Sequence, residues 1–245
     1  MLKVIALIPA RYAATRFPGK LMNLLGGKTV IRRSYESVVA TQLFDDVVVI
    51  TDSVTIFNEI IACGGRAMMS LKEHACGSDR IAEAAEQLSD IDIVVNVQGD
   101  EPFVQRSHLE KLLAVFSESG SECIDLASLM HRIDDPQQID NPNCVKVVVN
   151  QDHEALLFSR SRIPFPRDFQ DVVYYRHIGV YAFRLQSLIE FYHHPITPLE
   201  KAERIECLRY LEMGKNIKMV EVSCMGTGID TPQDLINAER YLTTH

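Results

Sequence analysis

The sequence predicts an α/β protein in which helices flank a mostly parallel sheet, with a smaller region of mixed sheet later in the chain. Two observations support this class. In the first half, short apolar runs alternate with segments whose apolar residues recur at helical spacing. Strands joined by such helices cross over with right-handed geometry and therefore run parallel. In the second half, strand-like runs follow one another through turn-rich joins, which favours mixed pairing.

Three strands and two helices are predicted in the first half. The strand-like runs do not alternate with polar residues, so both faces of each strand are expected to be buried. These runs are Lys3–Ile8, Val47–Thr51 and Ile91–Val97. Helices are predicted over Val30–Thr41 and Val54–Cys63, and a glycine pair at 64–65 follows the second as a C-terminal cap. Ligands of parallel sheets bind at the carboxyl ends of the strands, so the chemistry is expected there.

Four more strands and two capped helices are predicted in the second half. The strands are Ile124–Met130, Val145–Val149, Ala155–Ser159 and His177–Phe183. Two helices are expected to begin with a threonine N-cap, Thr197 and Thr231, each followed by proline at N1 and an acid at N3. Gly214 is expected to end the first of these helices. No linker interrupts the chain, which predicts one domain over residues 1–245 with an embedded sub-region at about 125–185.

Composition and charge exclude several classes of protein. The 25 basic and 33 acidic residues give a net charge of −8, which argues against nucleic acid as a partner. The content of 47% hydrophobic and 24% charged residues excludes disorder as the main state. The six cysteines form no CxxC pair, so neither a disulfide framework nor a zinc site is expected. The apolar run Val4–Pro9 is too short for a signal peptide or membrane span, which predicts a cytoplasmic protein with no membrane partner.

A cationic loop follows the first strand. Its sequence, PARYAATRFPGK at 9–20, places Arg11, Arg16 and Lys20 within ten residues of one another in an otherwise acidic protein. Its small residues allow the backbone to approach a ligand closely. Such a loop suits a polyphosphate, whose charge needs several fixed donors. A solvated, mildly basic loop is the alternative, and charge spacing alone does not separate the two.

Two acidic residues in distant segments of the chain are candidate metal ligands. Asp100 follows a buried strand in VVNVQGDEP, and Asp230 lies between a glycine-rich turn and a helix in GTGIDTP. Magnesium is usually held by one or two carboxylates together with phosphate oxygens and water. Taken singly, Asp100 is better explained as a turn residue and Asp230 as a helix-start acid favoured by the helix dipole. Taken together with the cationic loop, they predict a magnesium site.

The order and spacing of these segments resemble the 3-deoxy-D-manno-octulosonate (Kdo) cytidylyltransferases, also called CMP-Kdo synthetases. The match runs nearly end to end. Its segments are IPARYAATRFPGK (8–20), TD (51–52), HACGSDR (74–80), VNVQGDEP (95–102), NPNCVKVV (141–148), ALLFSRSRIPF (155–165), RHIGVYAF (176–183), PLEKAERIECLR (198–209) and GTGIDTPQDL (226–235). One departure is Cys76-Gly77-Ser78, where the family usually has Ser-Gly-Thr. Since cysteine is a weak donor, a hydroxyl hydrogen bond at this position is weakened.

The resemblance implies a Rossmann-like nucleotidyltransferase sheet and a specific reaction. Members of the family transfer CMP from CTP to the anomeric hydroxyl of Kdo and release pyrophosphate, with Mg²⁺ as cofactor. The product, CMP-Kdo, serves lipopolysaccharide synthesis. The resemblance also implies a homodimer, to which the sub-region at about 125–185 is expected to contribute.

The resemblance also assigns site residues. The catalytic positions are Arg11, Arg16, Lys20, Asp100 and Asp230, of which the two acids bind the metal. The nucleotide-binding positions are Ala10, Arg11, Arg16, Lys20, Thr51, Asp52, Gly77, Ser78 and Arg80. The sugar-binding positions are Gln98, Arg160, His177, Tyr181 and Glu206. The residues alone would favour a core histidine at 177 and a surface charge at the end of a strand for Arg160.

Two alternative functions remain open at this point. A cytidylyltransferase for a related sugar acid, such as 8-amino-Kdo or a sialic acid, would use similar contacts. A catalytically silent protein that senses a nucleotide is the alternative outside the enzymes. The intact set of cations and metal acids argues against the silent protein, because a binder has no need of the second metal acid.

Overall fold

The computed structural model describes residues 2–13, 17–74, 76–118, 120–168, 172–223 and 228–244. The chain divides into two compact units, one formed by Met1–Leu109 with Met225–His245 and the other by Glu110–Cys224. The sub-region expected at about 125–185 lies within the second unit. The assignment of residues 1–245 to a single domain stays a prediction.

The strands and helices are numbered in chain order. The strands are β1 (Val4–Ala10), β2 (Leu24–Leu25), β3 (Lys28–Thr29), β4 (Asp46–Thr51), β5 (Arg66–Met69), β6 (Ile93–Asn96), β7 (Leu126–Arg132), β8 (Lys146–Val149), β9 (Ala155–Ser159), β10 (Tyr175–Arg184) and β11 (Ile217–Glu221). The helices are α1 (Val30–Ala40), α2 (Val54–Ala62), α3 (Gly77–Ala85), α4 (Arg106–Ala114), α5 (Pro136–Asp140), α6 (Leu185–His193), α7 (Pro198–Glu203), α8 (Cys207–Glu212) and α9 (Pro232–Thr244). Short 3₁₀ turns lie at Lys20–Met22, Val115–Ser117 and Ser121–Cys123.

The first unit contains a parallel sheet with the strand order β6-β1-β4-β5. Every residue of β1 is buried, as expected of a central strand with helices on both faces. Thr29 caps α1 and Ser53 caps α2, each by accepting a hydrogen bond from a backbone N–H of the first turn. After α2, Gly64 adopts a φ of 79°, which glycine tolerates without strain. The predicted strands and helices of the first half are confirmed, as is the glycine cap.

The second unit contains a mixed sheet, as predicted. Strand β7 pairs with β10 in antiparallel and with β11 in parallel orientation, while β8 pairs antiparallel with both β9 and β10. The register of β10 against β7 shifts between Ile178 and Tyr181. At this irregularity the buried Ser128 hydroxyl lies within hydrogen-bond distance of two carbonyls, those of Ile178 at 3.2 Å and Val180 at 3.0 Å. Buried backbone carbonyls released from a ladder need such a partner.

The prediction of one helix from residue 198 to Gly214 is wrong. This segment forms two short helices, because Arg204 adopts a left-handed conformation with φ 54° and ends α7. Gly214, with φ 73°, follows α8 instead. The break is stabilised by a buried ion pair in which the Arg209 guanidinium donates two 2.6 Å hydrogen bonds to Glu200. Arg209 also stacks 3.8 Å from the ring centroid of Phe191.

The two predicted threonine caps differ. At α9 the prediction is confirmed, since the Asp234 N–H donates to the Thr231 hydroxyl oxygen at 3.2 Å and the Asp234 carboxylate accepts from the Thr231 N–H at 2.8 Å. At α7 Thr197 is the N-cap residue, followed by proline and with Glu200 in the first turn, as predicted, but its buried hydroxyl has no hydrogen-bond partner among the described residues. Its conformation is extended, as an N-cap requires, but its side chain does not reach the first turn.

Disulfides and membrane-spanning helices, neither of which the sequence predicts, can be assessed for the described residues alone. Their cysteines, at 63, 76, 123, 144 and 207, form no disulfide, whereas Cys224 lies outside the part of the chain that is described. Within the same part of the chain, no helix has the length and apolar character needed to cross a bilayer.

Candidate active site

The first unit brings Lys20, Asp100 and Asp230 together. The Lys20 ammonium donates a short hydrogen bond to Asp100 Oδ2 and a second one, of 2.9 Å, to Asp230 Oδ1. The side chains of Lys20 and Asp100 are 17% and 22% exposed, and that of Asp230 is 49% exposed. One cation therefore pairs with two carboxylates that are 130 positions apart in the sequence and share the edge of a partly buried site.

Backbone contacts place the two acids side by side. The N–H of Ile229 donates to the carbonyl of Asp100 at 2.9 Å, and the Ile229 side chain is fully buried. Asp230 follows at once, and its own N–H donates to the Asp234 carboxylate at 3.1 Å, in the first turn of α9. The start of α9 and the loop after β6 are thus joined at the two carboxylates.

Glycines allow the loops of this site to approach one another. A Cβ atom at Gly99 would lie 3.1 Å from the carbonyl oxygen of Pro9, at the end of β1. Gly19 adopts a φ of 67° immediately before Lys20, a conformation that L side chains rarely adopt. The loops after β1 and β6 can therefore pack closely, with Lys20 directed at Asp100.

Electrostatics keep the Lys20 side chain charged. Burial of the ammonium lowers the Lys20 pKa, but the charges of Asp100 and Asp230 and the hydrogen bonds to both outweigh burial. The pKa therefore lies above its usual value of 10.5. The charged ammonium faces two carboxylates, an arrangement that favours a further cation at this cluster.

The carboxylates do not form a complete metal cage. Among the described residues, no group of three or more His, Cys, Asp or Glu side chains converges in a way that could hold a metal ion. Two carboxylates directed at one cation match the demand of Mg²⁺, which keeps several waters and takes phosphate oxygens as further ligands. The donor set fits magnesium better than zinc, which prefers nitrogen and sulfur ligands.

A second cluster joins the ends of β4 and β5 to α3. The Arg80 guanidinium, buried at 4% exposure, donates to Asp52 Oδ2 at 2.7 Å and to Ser70 Oγ at 2.6 Å. Thr51 is fully buried at the end of β4, and its hydroxyl accepts from the N–H of Ser53 at 3.1 Å. The structure therefore brings three of the predicted nucleotide-binding residues, Thr51, Asp52 and Arg80, to the carboxyl ends of two neighbouring strands.

The N-terminus of α3 carries two more of the predicted positions, Gly77 and Ser78. Cys76 caps this helix, because its thiol accepts from the N–H of Asp79 at 3.4 Å. The departure from the usual serine therefore places a weak acceptor where a strong one is preferred. A Cβ atom at Gly77 would lie 3.2 Å from the Pro9 side chain, so the helix start is packed closely against the end of β1.

Sequence reasoning missed residues that hold these clusters. Asn96, fully buried at the end of β6, donates a long 3.5 Å hydrogen bond to Ser78 and accepts one of 3.2 Å from Gln98. The buried side chains of His74 and Glu83 pair at 2.9 Å, and Glu83 also accepts from the N–H of Leu71 at 3.0 Å. A polar residue within the otherwise apolar run IVVN was the available signal for Asn96.

The cationic loop is described only in part. Ala10 is buried at the end of β1 and Arg11 is exposed immediately after it. Arg16 lies outside the described residues, so its predicted contact with phosphate stays a prediction. Of the three predicted cations, Lys20 is the one whose hydrogen bonds to the acidic pair are described.

The predicted sugar-binding residues fall in both units. Gln98 belongs to the first unit, and the others belong to the second. The Arg160 guanidinium donates to the backbone carbonyls of Glu203 at 2.7 Å, Pro142 at 2.9 Å and Arg204 at 3.3 Å. Tyr181 is buried on β10, and Glu206 is the N-cap residue of α8.

His177 is a neutral residue of the core. Its Nε2 lies 3.0 Å from the Ser128 hydroxyl, and its ring packs at 4.9 Å between centroids against the edge of Phe158. Burial, aided by the charge of Arg176, lowers the His177 pKa from 6.5 to about 3. A ligand at this ring would therefore meet a neutral hydrogen-bonding group. The core environment agrees with what the residues alone had favoured.

Comparison with known proteins decides the family. The model of the cytidylyltransferase family matches residues 5–217 of this chain. The chain belongs to the cytidylyltransferases. It is 59% identical over 242 residues to the 3-deoxy-manno-octulosonate cytidylyltransferase of Flavobacterium johnsoniae, covering 98% of this chain and 99% of that protein. The resemblance to this family, predicted from the sequence segments, is confirmed.

Two further relatives bear on fold and substrate. The solved structure of a CMP:2-keto-3-deoxy-manno-octonic acid synthetase complexed with CTP superposes with a TM-score of 0.93 at 36% identity, covering 99% of each chain. This likeness confirms the predicted α/β fold of the cytidylyltransferase. The 8-amino-3,8-dideoxy-manno-octulosonate cytidylyltransferase of Shewanella pealeana is 40% identical over 244 residues, covering 99% of both chains.

Proposed function

We propose that this enzyme transfers CMP from CTP to the anomeric hydroxyl of Kdo, releasing pyrophosphate and forming CMP-Kdo for lipopolysaccharide synthesis. The observation that carries the proposal is the convergence of Lys20, Asp100 and Asp230 at the ends of parallel strands. The 59% identity to a Kdo cytidylyltransferase, together with the solved relative's complex with CTP, supports the choice of substrates. Because CTP is a cytoplasmic metabolite, we place the reaction in the cytoplasm.

In this reaction the protein positions the substrates and stabilises charge. The nucleophile is the hydroxyl of the sugar, so no side chain has to supply it. Lys20, together with Arg11 and Arg16, would neutralise the triphosphate and hold it in line with the attacking hydroxyl. Arg80 and Asp52, held against one another at 2.7 Å, would hold the cytidine end.

We propose that Asp100 and Asp230 hold Mg²⁺ during the reaction. Both carboxylates already bind a common cation, the Lys20 ammonium, so they are arranged to share one. When bound, the ion would supply positive charge that offsets the negative charge of the triphosphate. Lys20 is long enough and flexible enough to exchange its two carboxylates for phosphate oxygens.

We also propose a homodimer, in which the second unit supplies the contact surface. Strand β9 exposes Leu156 and Leu157, with 60% and 39% of each residue accessible, and Phe165 beyond it is 81% exposed. Large apolar side chains this accessible in one segment are typical of an interface between subunits. Light scattering at micromolar concentration is expected to give twice the mass of one chain. A mass near 27.7 kDa would contradict the dimer.

The decisive experiment measures pyrophosphate release from CTP with a panel of sugar acids. We expect Kdo to be used with the highest kcat/KM, 8-amino-Kdo and a sialic acid less well, and phosphorylated aldoses not at all. The 8-amino sugar belongs in the panel because of the Shewanella pealeana relative. A preference for 8-amino-Kdo would correct the substrate, and no release with any sugar acid would overturn the proposal.

Metal dependence is tested with one pair of variants. Asp100→Asn is expected to lower kcat by two or more decades, since a charged metal ligand contributes several kcal/mol to the transition state. Asp134→Asn is the matched control, because that side chain is 89% exposed and outside the site. Full activity in excess chelator, or near-normal turnover of Asp100→Asn, would contradict the metal assignment.

A further inference from the structure

Hydrogen bonds hold both the backbone and the side chain of Arg160, a residue predicted to bind a ligand. Its backbone N–H donates to Glu203 Oε2 at 3.0 Å, and its Nε–H donates to the carbonyl of Glu203 at 2.7 Å. Nη1 and Nη2 donate to the carbonyls of Pro142 and Arg204. These bonds use three of the five guanidinium N–H groups and leave two for the carboxylate of a ligand.

The break between α7 and α8 makes two of these carbonyls available. The last carbonyls of a helix have no partner within the helix, and α7 ends at Glu203. The left-handed Arg204, with φ 54°, turns the chain so that its own carbonyl also accepts from the guanidinium. Glu206, another predicted sugar-binding residue, follows in the same joint and occupies the N-cap position of α8.

The Glu203 carboxylate anchors the end of β9 as well. Its Oε1 accepts from the Ser159 hydroxyl at 2.6 Å, while its Oε2 accepts from the N–H of Arg160. From the other side, the fully buried Lys146 ammonium donates to the carbonyl of Arg160 at 2.6 Å. The Glu203 carboxylate and the Lys146 ammonium therefore fix the backbone of Arg160 on both sides, while its side chain is held by backbone carbonyls, including that of Glu203.

We propose that Glu203 is a positioning residue of the sugar-acid site, acting through Arg160. The inference rests on the proposed function, because it assumes that Arg160 meets the sugar carboxylate. An arginine held before the ligand arrives loses less side-chain freedom on binding, so its contacts contribute more to affinity. Glu203 would raise affinity for the sugar acid without touching the sugar acid or the nucleotide.

The test is a pair of steady-state titrations, one for the sugar acid and one for CTP, on the full-length enzyme. Glu203→Ala removes both carboxylate contacts and is expected to raise KM for the sugar acid about tenfold, with kcat and KM for CTP within about twofold. Glu203→Gln should recover most of the loss, because its amide oxygen still accepts from the N–H of Arg160. Arg160→Ala sets the scale, with a larger rise in the same KM.

Glu212→Ala is the matched control. The Glu212 carboxylate accepts from the N–H of Leu199 at 3.1 Å and so also joins α8 to α7, in a bond that does not include Arg160. We expect both KM values of this variant to equal those of the wild type. Thermal melts of all variants show whether a change in KM follows from a loss of folding.

Each outcome decides the inference. An unchanged KM for the sugar acid in Glu203→Ala, an equal rise in both KM values, or an equal effect of Glu212→Ala would overturn the positioning role alone. If the wild type released pyrophosphate with no sugar acid of the panel, the proposed function would fail and the positioning role with it. If Glu203→Ala did not fold, Ser159→Ala would replace it, with a smaller rise in the same KM expected and an unchanged value counting against the role.

Discussion

Replacing Lys20 by methionine should destabilise the free enzyme and make it more responsive to magnesium. Methionine keeps most of the length of the side chain and removes the charge that Asp100 and Asp230 share. An exposed ion pair contributes about 0–1 kcal/mol, and removing one partner of a buried pair costs about 3–5 kcal/mol. With Lys20 17% and Asp100 22% exposed, the cost should fall between these limits, at about 2 kcal/mol.

Thermal and chemical denaturation without ligands measure this cost. For a chain of this size, about 2 kcal/mol corresponds to a fall in Tm of about 4–8 °C. Lys28→Met is the matched control, because Lys28 also pairs with a carboxylate, Glu36 at 2.6 Å, but with 42% and 35% of the two side chains exposed. The control should lose no more than about 1 kcal/mol.

Magnesium and pH provide two further readouts for Lys20→Met. Without CTP, Mg²⁺ should raise the Tm of the variant more than that of the wild type, where the ammonium already lies between the carboxylates. The Lys20 pKa is raised above 10.5, so its stabilisation is fully present below pH 10.5 and is lost as the pH rises through the raised value. The difference between the two proteins should therefore be constant at neutral pH and shrink above pH 10.5. A Tm equal to that of Lys28→Met, or an equal response to Mg²⁺, would refute the reasoning.

Two further predictions concern single side chains. Because the pKa of His177 is about 3 in the folded state and 6.5 in the unfolded chain, stability should fall as the pH falls from 6.5 towards 3. His177→Asn should reduce the slope of unfolding free energy against pH by up to the equivalent of one bound proton, about 1.4 kcal/mol per pH unit, as measured by urea titrations at several pH values. An unchanged slope would show that His177 is not buried in its neutral form. Cys76→Ser replaces the thiol cap of α3 by a better acceptor and should raise stability by about 0.5–1 kcal/mol. The reverse change at the cap of α2, Ser53→Cys, should lower stability by a similar amount, and a loss of stability in Cys76→Ser would contradict the assignment of the cap.

The sequence by itself determined the fold class, many of the strands and helices, and the family. Buried strands and amphipathic helices have periods that are visible over a few residues, so the seven predicted strands match the structure to within about three residues at their ends. The strands β2, β3, β5 and β11 were not predicted. The threonine cap at 231 and the glycine turn at 64 could also be predicted, because each depends on only a few neighbouring residues in the sequence. The cationic loop and Asp100 could be found because each follows a predicted strand, whereas the cytidine-binding positions came from the resemblance to the family.

Only the tertiary structure decided which distant residues meet and what state each one adopts. Lys20 and Asp230 are 210 positions apart, and their contact depends on Ile229 packing beside Asp100. The single helix predicted from Thr197 to Gly214 is divided at Arg204. There the guanidinium of Arg160 donates a hydrogen bond to the carbonyl of Arg204. His177 is neutral because it is buried, and the groups that bury it, the ring of Phe158 and the hydroxyl of Ser128, come from other strands. A periodic pattern records which face of an element is buried, whereas hydrogen bonding, charge and the ends of helices depend on neighbours that arrive only when the whole chain has packed.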